Sequence, residues 1–261
     1  MKQKNLSKED GDRVEIWVDM NSKSTTTKKV RLADVPIKVK CLNEKQKELK
    51  KSIEDQDITI CKGPAGGGKT YLALLMALHL MKTQPEKYEK LILVKSLTVV
   101  PGEDPGILPG TLEEKMAPFM WSFTGNLDKI FHSKFIREKL MEDEIIEVLP
   151  IAYIRGTTQE KRIVIIDEAQ NIDDHIFKTI ITRLGPDCKM IFLGDAEQCD
   201  FKYKDTSCLT NVVNLFKDED CAGVVEFMES DCVRHPLIPR ILRILNGSPT
   251  VKEKVPIQLN S

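Results

Sequence analysis

Paired cysteines, long apolar runs and an excess of either charge are all missing from this sequence. Its seven cysteines, at 41, 61, 188, 199, 208, 221 and 232, are odd in number and include no C-x-x-C pair. That excludes a disulfide framework and suits a reducing cytosol. Cys232 and His235 have no second ligand pair near them in a chain with four histidines, so a zinc site lacks its donors. The most apolar run, Tyr71–Met81, is too short to cross a bilayer, and Met1–Arg13 lacks the apolar centre of a secretory signal. The expectation is a cytoplasmic protein with no membrane contact. Net charge is −1, from 39 basic and 40 acidic residues, which excludes a globally basic nucleic-acid binder and leaves only a local patch.

What the chain does contain is enough apolar matter for one large domain: 41% of its 261 residues are hydrophobic. A polar arm runs over residues 1–41, with SKSTTTKK at Ser22–Lys29, and a tail covers 248–261. Between them, over 42–247, short apolar strands alternate with longer helical stretches. Strands are expected at Ile58–Cys61, Leu91–Lys95, Ile163–Asp167, Lys189–Leu193 and Val224–Met228. Helices are expected at Glu44–Ile53 (capped by Asn43), Lys69–Lys82, Leu112–Trp121, Asp174–Leu184, Cys208–Phe216 and Pro236–Leu245. This alternation predicts an α/β fold whose mostly parallel sheet is flanked by helices. Val99–Gly110, rich in proline and glycine, reads as a long shaped loop.

Gly63–Thr70 reads GPAGGGKT and satisfies G-x-x-x-x-G-K-[ST] between an expected strand and a buried helix. In such a loop the backbone of Gly63, Pro64, Ala65, Gly66, Gly67, Gly68 and Tyr71 surrounds phosphate oxygens, with N–H donors everywhere except at Pro64. Lys69 reaches the β- and γ-phosphates, Thr70 offers a hydroxyl to magnesium, and the helix aims its positive end at the anion. The alternative is a glycine-rich loop carrying an accidental GKT.

IVIID at Ile163–Asp167, followed by Glu168, delivers two acids at the carboxyl end of a strand. Asp167 would hold magnesium and Glu168 would polarise the attacking water; the bland reading is a pair of helix-capping acids. KMIFLGD at Lys189–Asp195 leads to Gln198, which can contact the γ-phosphate with Asp195 orienting the loop. Arg234 serves either as an arginine finger or as a surface partner of Glu229 or Asp231; Arg155, Arg183 and Arg240 are the other finger candidates.

Together GPAGGGKT at 63–70, LPGTLEEKMAPF at 108–119, IAYIRG at 151–156, IVIIDEAQN at 163–171, LGDAEQCD at 193–200 and VRHP at 233–236 resemble the PhoH family of P-loop ATPases. The resemblance implies a RecA-like fold related to the first motor domain of superfamily-one helicases. It also implies ATP and Mg2+ as cofactors, ATPase activity with RNA-directed helicase or ribonuclease-associated function, and assembly into a homo-oligomeric ring such as a hexamer. Gln198 matches the family's γ-phosphate sensor, and Asn43 and Gln46 resemble its adenine-reading region. Single-stranded nucleic acid, RNA ahead of DNA, would meet Lys95, Ser96, Tyr153 and Arg155. A non-enzymatic ATP switch and a small-molecule phosphotransferase are the competing functions.

Overall fold

The computed structural model describes residues 30–95, 112–198 and 208–233, together with 237 and 241. Its strands are β1 (Ile58–Lys62), β2 (Lys90–Lys95), β3 (Ile146–Pro150), β4 (Arg162–Asp167), β5 (Lys189–Gly194) and β6 (Gly223–Glu226). They form a single sheet in the order β3-β2-β4-β5-β1-β6, and every neighbouring pair is parallel. The helices are α1 (Glu44–Asp55), α2 (Lys69–Thr83), α3 (Leu112–Phe131), α4 (Lys134–Glu142), α5 (Ile151–Ile154), α6 (Asp174–Ile181) and α7 (Cys208–Phe216).

Strand side chains alternate between two cores, as the pleat demands. Leu91, Leu93, Ile163, Ile165, Ile191 and Leu193 face the core built with α1, α2, α3 and α4. Ile92, Val94, Val164, Ile166, Met190 and Phe192 face the core built with α5, α6 and α7. Because both faces are covered, central strands such as IVII carry apolar residues at every position. Helix α2 is buried around nearly its whole circumference, from Leu72 to Met81, which fixes the loop at its amino end.

The expected parallel α/β fold is present, and the central strands and α2 lie within a residue or two of their expected bounds. Several elements differ. Helix α3 continues past Trp121 to Phe131, because Phe123, Leu127, Ile130 and Phe131 prolong one apolar stripe into the core. Helix α6 stops at Ile181 rather than Leu184. Strand β3 and helix α4 were not expected. β3 is a half-exposed edge strand whose Glu147 pairs with Lys90 of β2, so it lacks an apolar run. Residues 30–41, expected within the arm, pack onto the domain: Leu32 and Val35 are buried in the first core and Lys82 Nζ donates to Val35 O at 2.6 Å. Residues 1–29, the Val99–Gly110 loop, most of the Pro236–Leu245 helix and the tail at 248–261 lie outside the described residues.

Candidate active site

The carboxyl ends of β1, β4 and β5 open on a cleft of about 370 Å³. Ala65, Gly66, Gly68, Lys69 and Thr70 line it, with Tyr71, Gln46, Asp167, Glu168, Asp195 and Gln198. Gly63, Pro64 and Gly67 form the loop's supporting side. Gly63 N–H donates to Gly194 O at 3.1 Å, and Val233 N–H donates to Gly66 O at 3.0 Å. A Cβ at Gly63 would stand 2.5 Å from Phe227 Cβ, and one at Gly67 2.8 Å from Phe227 Cδ1. Those positions must be glycine for the loop to sit on β6's exit. Gly68, at φ 80°, turns the chain into α2.

Lys69 opens α2 and folds back on the loop, its Nζ donating to Gly63 O at 2.5 Å and Pro64 O at 2.8 Å. The ammonium therefore stands over the loop's hollow, at the positive end of a buried helix. Thr70 Oγ1 donates to Asp167 Oδ1 at 3.2 Å. Two of the three residue types a P-loop site needs, from elements 97 positions apart in sequence, meet directly.

Asp167 is 9% exposed. Burial, reinforced by the like charge of Glu168, pushes its carboxyl up from an ordinary 3.8 to about 6. A carboxylate so disfavoured, touching a hydroxyl and opening on a cleft, suits a divalent cation, whose charge would offset both effects; Thr70 and Asp167 would hold it. The folded protein keeps this proton more tightly than the unfolded chain, so ionising it costs up to about 3 kcal/mol of folding free energy above pH about 6, and the cost shrinks as pH falls from about 6 to about 4, below which it is gone. Asp167→Asn keeps an acceptor for Thr70. It should therefore raise the melting temperature of the metal-free protein at pH about 8, with the gain vanishing near pH 4. A lower melting temperature at the higher pH would contradict this assignment.

Glu168 adopts a left-handed backbone, φ 57° and ψ 41°, a conformation that costs a non-glycine residue about 1–3 kcal/mol and recurs at functional sites. Its Oε1 lies 4.0 Å from Lys95 Nζ, and its Oε2 accepts from Gln170 Nε2 at 2.7 Å. Gln198 Nε2 donates to Asp195 Oδ2 at 2.8 Å, and the same oxygen accepts from Ala65 N–H at 3.1 Å. Asp195 thus orients both the Gln198 loop and the phosphate loop.

Gln46 reaches the cleft wall with its amide engaged: Oε1 accepts from Leu42 N–H at 2.8 Å, and Nε2 donates to Gly67 O at 2.9 Å. It braces the phosphate loop with one of its two N–H donors, and a second N–H and a second lone pair remain on the amide. Its neighbour Asn43 caps α1 by accepting from Gln46 N–H and donates to Asp231 O. Arg234 and Arg240 lie outside the described residues or have no described side chain. Arg183 sits beside Gln159, which precedes β4, at the end of the sheet away from the cleft, so it stands apart from the cleft of its own chain. Sequence reasoning missed Lys40, Leu42, Asn126 and Lys129 on the cleft wall. The last two fell beyond the expected end of α3, and nothing in their local sequence marks them.

The model of the PhoH family, described as PhoH-like protein, matches residues 38–246. The chain belongs to the PhoH family. Over 206 residues it is 38% identical to the PhoH-like protein of Bacillus subtilis, covering 79% of this chain and 63% of that protein. Over 202 residues it is 34% identical to Protein PhoH of Escherichia coli, covering 77% of this chain and 56% of that protein. These matches span less than two thirds of the relatives' length. Among solved structures, the chain superposes on the large terminase of a thermophilic bacteriophage with TM-score 0.45 at 9% identity, over 78% of this chain and 50% of that one. On the Pif1 helicase of Candida albicans the TM-score is 0.41 at 18% identity, over 80% and 44% of the two chains. The PhoH assignment rests on the family match and on the identity to these relatives, and the fold of this PhoH-family chain is a parallel six-stranded sheet flanked by helices.

Proposed function

We propose that this chain hydrolyses ATP at the Gly63–Thr70 cleft and uses the cycle as a ring-forming, nucleic-acid-dependent motor in the cytoplasm. The observation that carries the hydrolytic reading is the meeting of Lys69, Thr70, Asp167 and Glu168 around one hollow. The triphosphate would lie against the loop amides, with Lys69 leaving the carbonyls of Gly63 and Pro64 for the phosphate oxygens. Glu168 would orient and deprotonate the attacking water, and Gln198 would register the γ-phosphate. Magnesium, when bound at Thr70 and Asp167, would neutralise charge on the phosphates.

The motor reading is supported by what stands beside the acids. Lys95 ends β2 between Pro150 of β3 and Asp167 of β4. Helix α5 starts immediately after Pro150 and presents Tyr153, 54% exposed. Arg155 follows it, with a buried Nε that finds no partner among the described residues. Lys95 stands beside Glu168, Tyr153 and Arg155 follow β3 at the same end of the sheet, and Ser96 lies outside the described residues; a cation, a stacking ring and a guanidinium at that end would suit a single strand. A ring is the natural way to complete a cleft that one domain leaves open on one side.

The test is phosphate release with and without single-stranded RNA or DNA at low salt, beside mass measurement with and without ATP. Stimulation by RNA and an ATP-dependent oligomer are expected. Turnover unmoved by either nucleic acid would remove the motor reading and leave the ATPase.

A further inference from the structure

We propose that Gln170 is a positioning residue that fastens the water-orienting carboxylate of Glu168 to the loop carrying Gln198. The inference rests on the hydrolytic reading of the cleft and adds a residue to which the motif match assigns no role. Gln170 lies in the tight turn Ala169–Asn171 that follows β4. It is 1% exposed, yet its amide fills no apolar core. It spans the ends of two strands.

On one side Nε2 donates to Glu168 Oε2 at 2.7 Å, and more weakly to Gln198 O at 3.4 Å. On the other, Oε1 accepts from Asp195 N–H at 2.9 Å. Asp195 continues the chain of bonds through its carboxylate to Ala65 N–H and Gln198 Nε2. A continuous set of hydrogen bonds therefore runs from the carboxylate of Glu168, through Gln170 and Asp195, to both the phosphate loop and Gln198.

The approach is built into the backbone. A Cβ at Gly194 would stand 2.7 Å from Gln170 Oε1, 2.9 Å from Gln170 N and 2.6 Å from Leu209 Cδ2. Only glycine at the end of β5 lets the glutamine amide lie across it. The chemistry also selects an amide. A donor is needed to hold a carboxylate without neutralising it, and an acceptor is needed for the Asp195 amide; glutamine supplies both on one side chain. Glu168 is half-exposed, and water could satisfy it. A bond from a buried amide restricts its rotamers rather than merely filling its lone pairs. Movement of Gln198 or Asp195 when the γ-phosphate departs would thus reach Glu168 through one side chain.

The experiment compares Gln170→Met, which removes both bonds, with Gln170→Glu, which keeps the acceptor for Asp195 N–H and loses the donor to Glu168. Both are made in the full chain. Steady-state kcat and KM for ATP, affinity for a fluorescent ATP analogue and thermal melting are measured, with Glu168→Gln alongside. Losing a hydrogen bond to a charged group should lower kcat about 10- to 100-fold in both variants, with KM and analogue affinity within about threefold. In a double-mutant cycle, Gln198→Ala should cost much less in the Gln170→Met background than in the wild type.

If Gln170→Met fails to melt cooperatively, Gln170→Glu decides alone. A kcat within about twofold of wild type in a folded variant, or additive losses in the cycle, would overturn the proposal. Should Glu168→Gln itself leave turnover unchanged, the hydrolytic reading fails instead, whatever Gln170 does.

Discussion

Lys69→Ala should lower the ATP turnover number by about a thousandfold or more, with the folded protein retained. The ammonium stands at the amino end of α2, above a loop otherwise built from backbone. It rests on the carbonyls of Gly63 and Pro64. Gly63 is buried and Pro64 half-buried, so water replaces the lost donors only in part, and the cost in stability should be about 1–3 kcal/mol. Catalysis has no such replacement, because neither the neutral loop amides nor magnesium held at Thr70 and Asp167 would put a positive charge where the ammonium meets the β- and γ-phosphate oxygens. Phosphate release read beside a melting curve separates the two effects. A variant that melts like wild type and keeps its turnover would mean that phosphate does not bind at this loop.

Glu168→Gln should lower kcat about 100- to 10,000-fold and leave ATP bound. The substitution preserves length and an acceptor for Gln170 Nε2, but removes the base. It also removes the like charge that helps to push the Asp167 carboxyl upward, so Asp167 should ionise more readily and metal-dependent nucleotide affinity should hold or rise. Binding of a fluorescent ATP analogue with magnesium, set against turnover, checks both halves. Unchanged turnover would favour a nucleotide switch whose slow hydrolysis does not use this carboxylate.

The parts of this molecule legible in its sequence are those where local pattern and tertiary role coincide. The phosphate loop is defined by glycines that the backbone cannot do without, and IVIID is apolar up to its closing acid because both faces of β4 are covered. What was hidden depends on packing between distant segments. Strand β3 is an edge strand with charged partners, so no apolar run announces it. The second half of α3 contains Gly125 and follows a plausible stop, yet Phe123, Leu127 and Phe131 carry the helix onward into the core. Gln46, expected in the adenine-reading region, lies on the cleft wall, and its bracing of the phosphate loop through Leu42 and Gly67 is a contact between segments that the sequence does not bring together. Gln170 stands within a recognised motif, two residues after Glu168, but its bonds to Glu168 and Asp195 appear only when β4 and β5 are laid side by side.

The most direct test is to supply the purified chain with Mg2+ and ATP in water enriched in heavy oxygen, with no other acceptor, and to analyse the phosphate formed. Water oriented by Glu168 predicts ADP and inorganic phosphate in equal amounts, the phosphate carrying label from the solvent. ATP that binds and stays intact, or phosphate that leaves only on an added hydroxyl compound, would contradict the account.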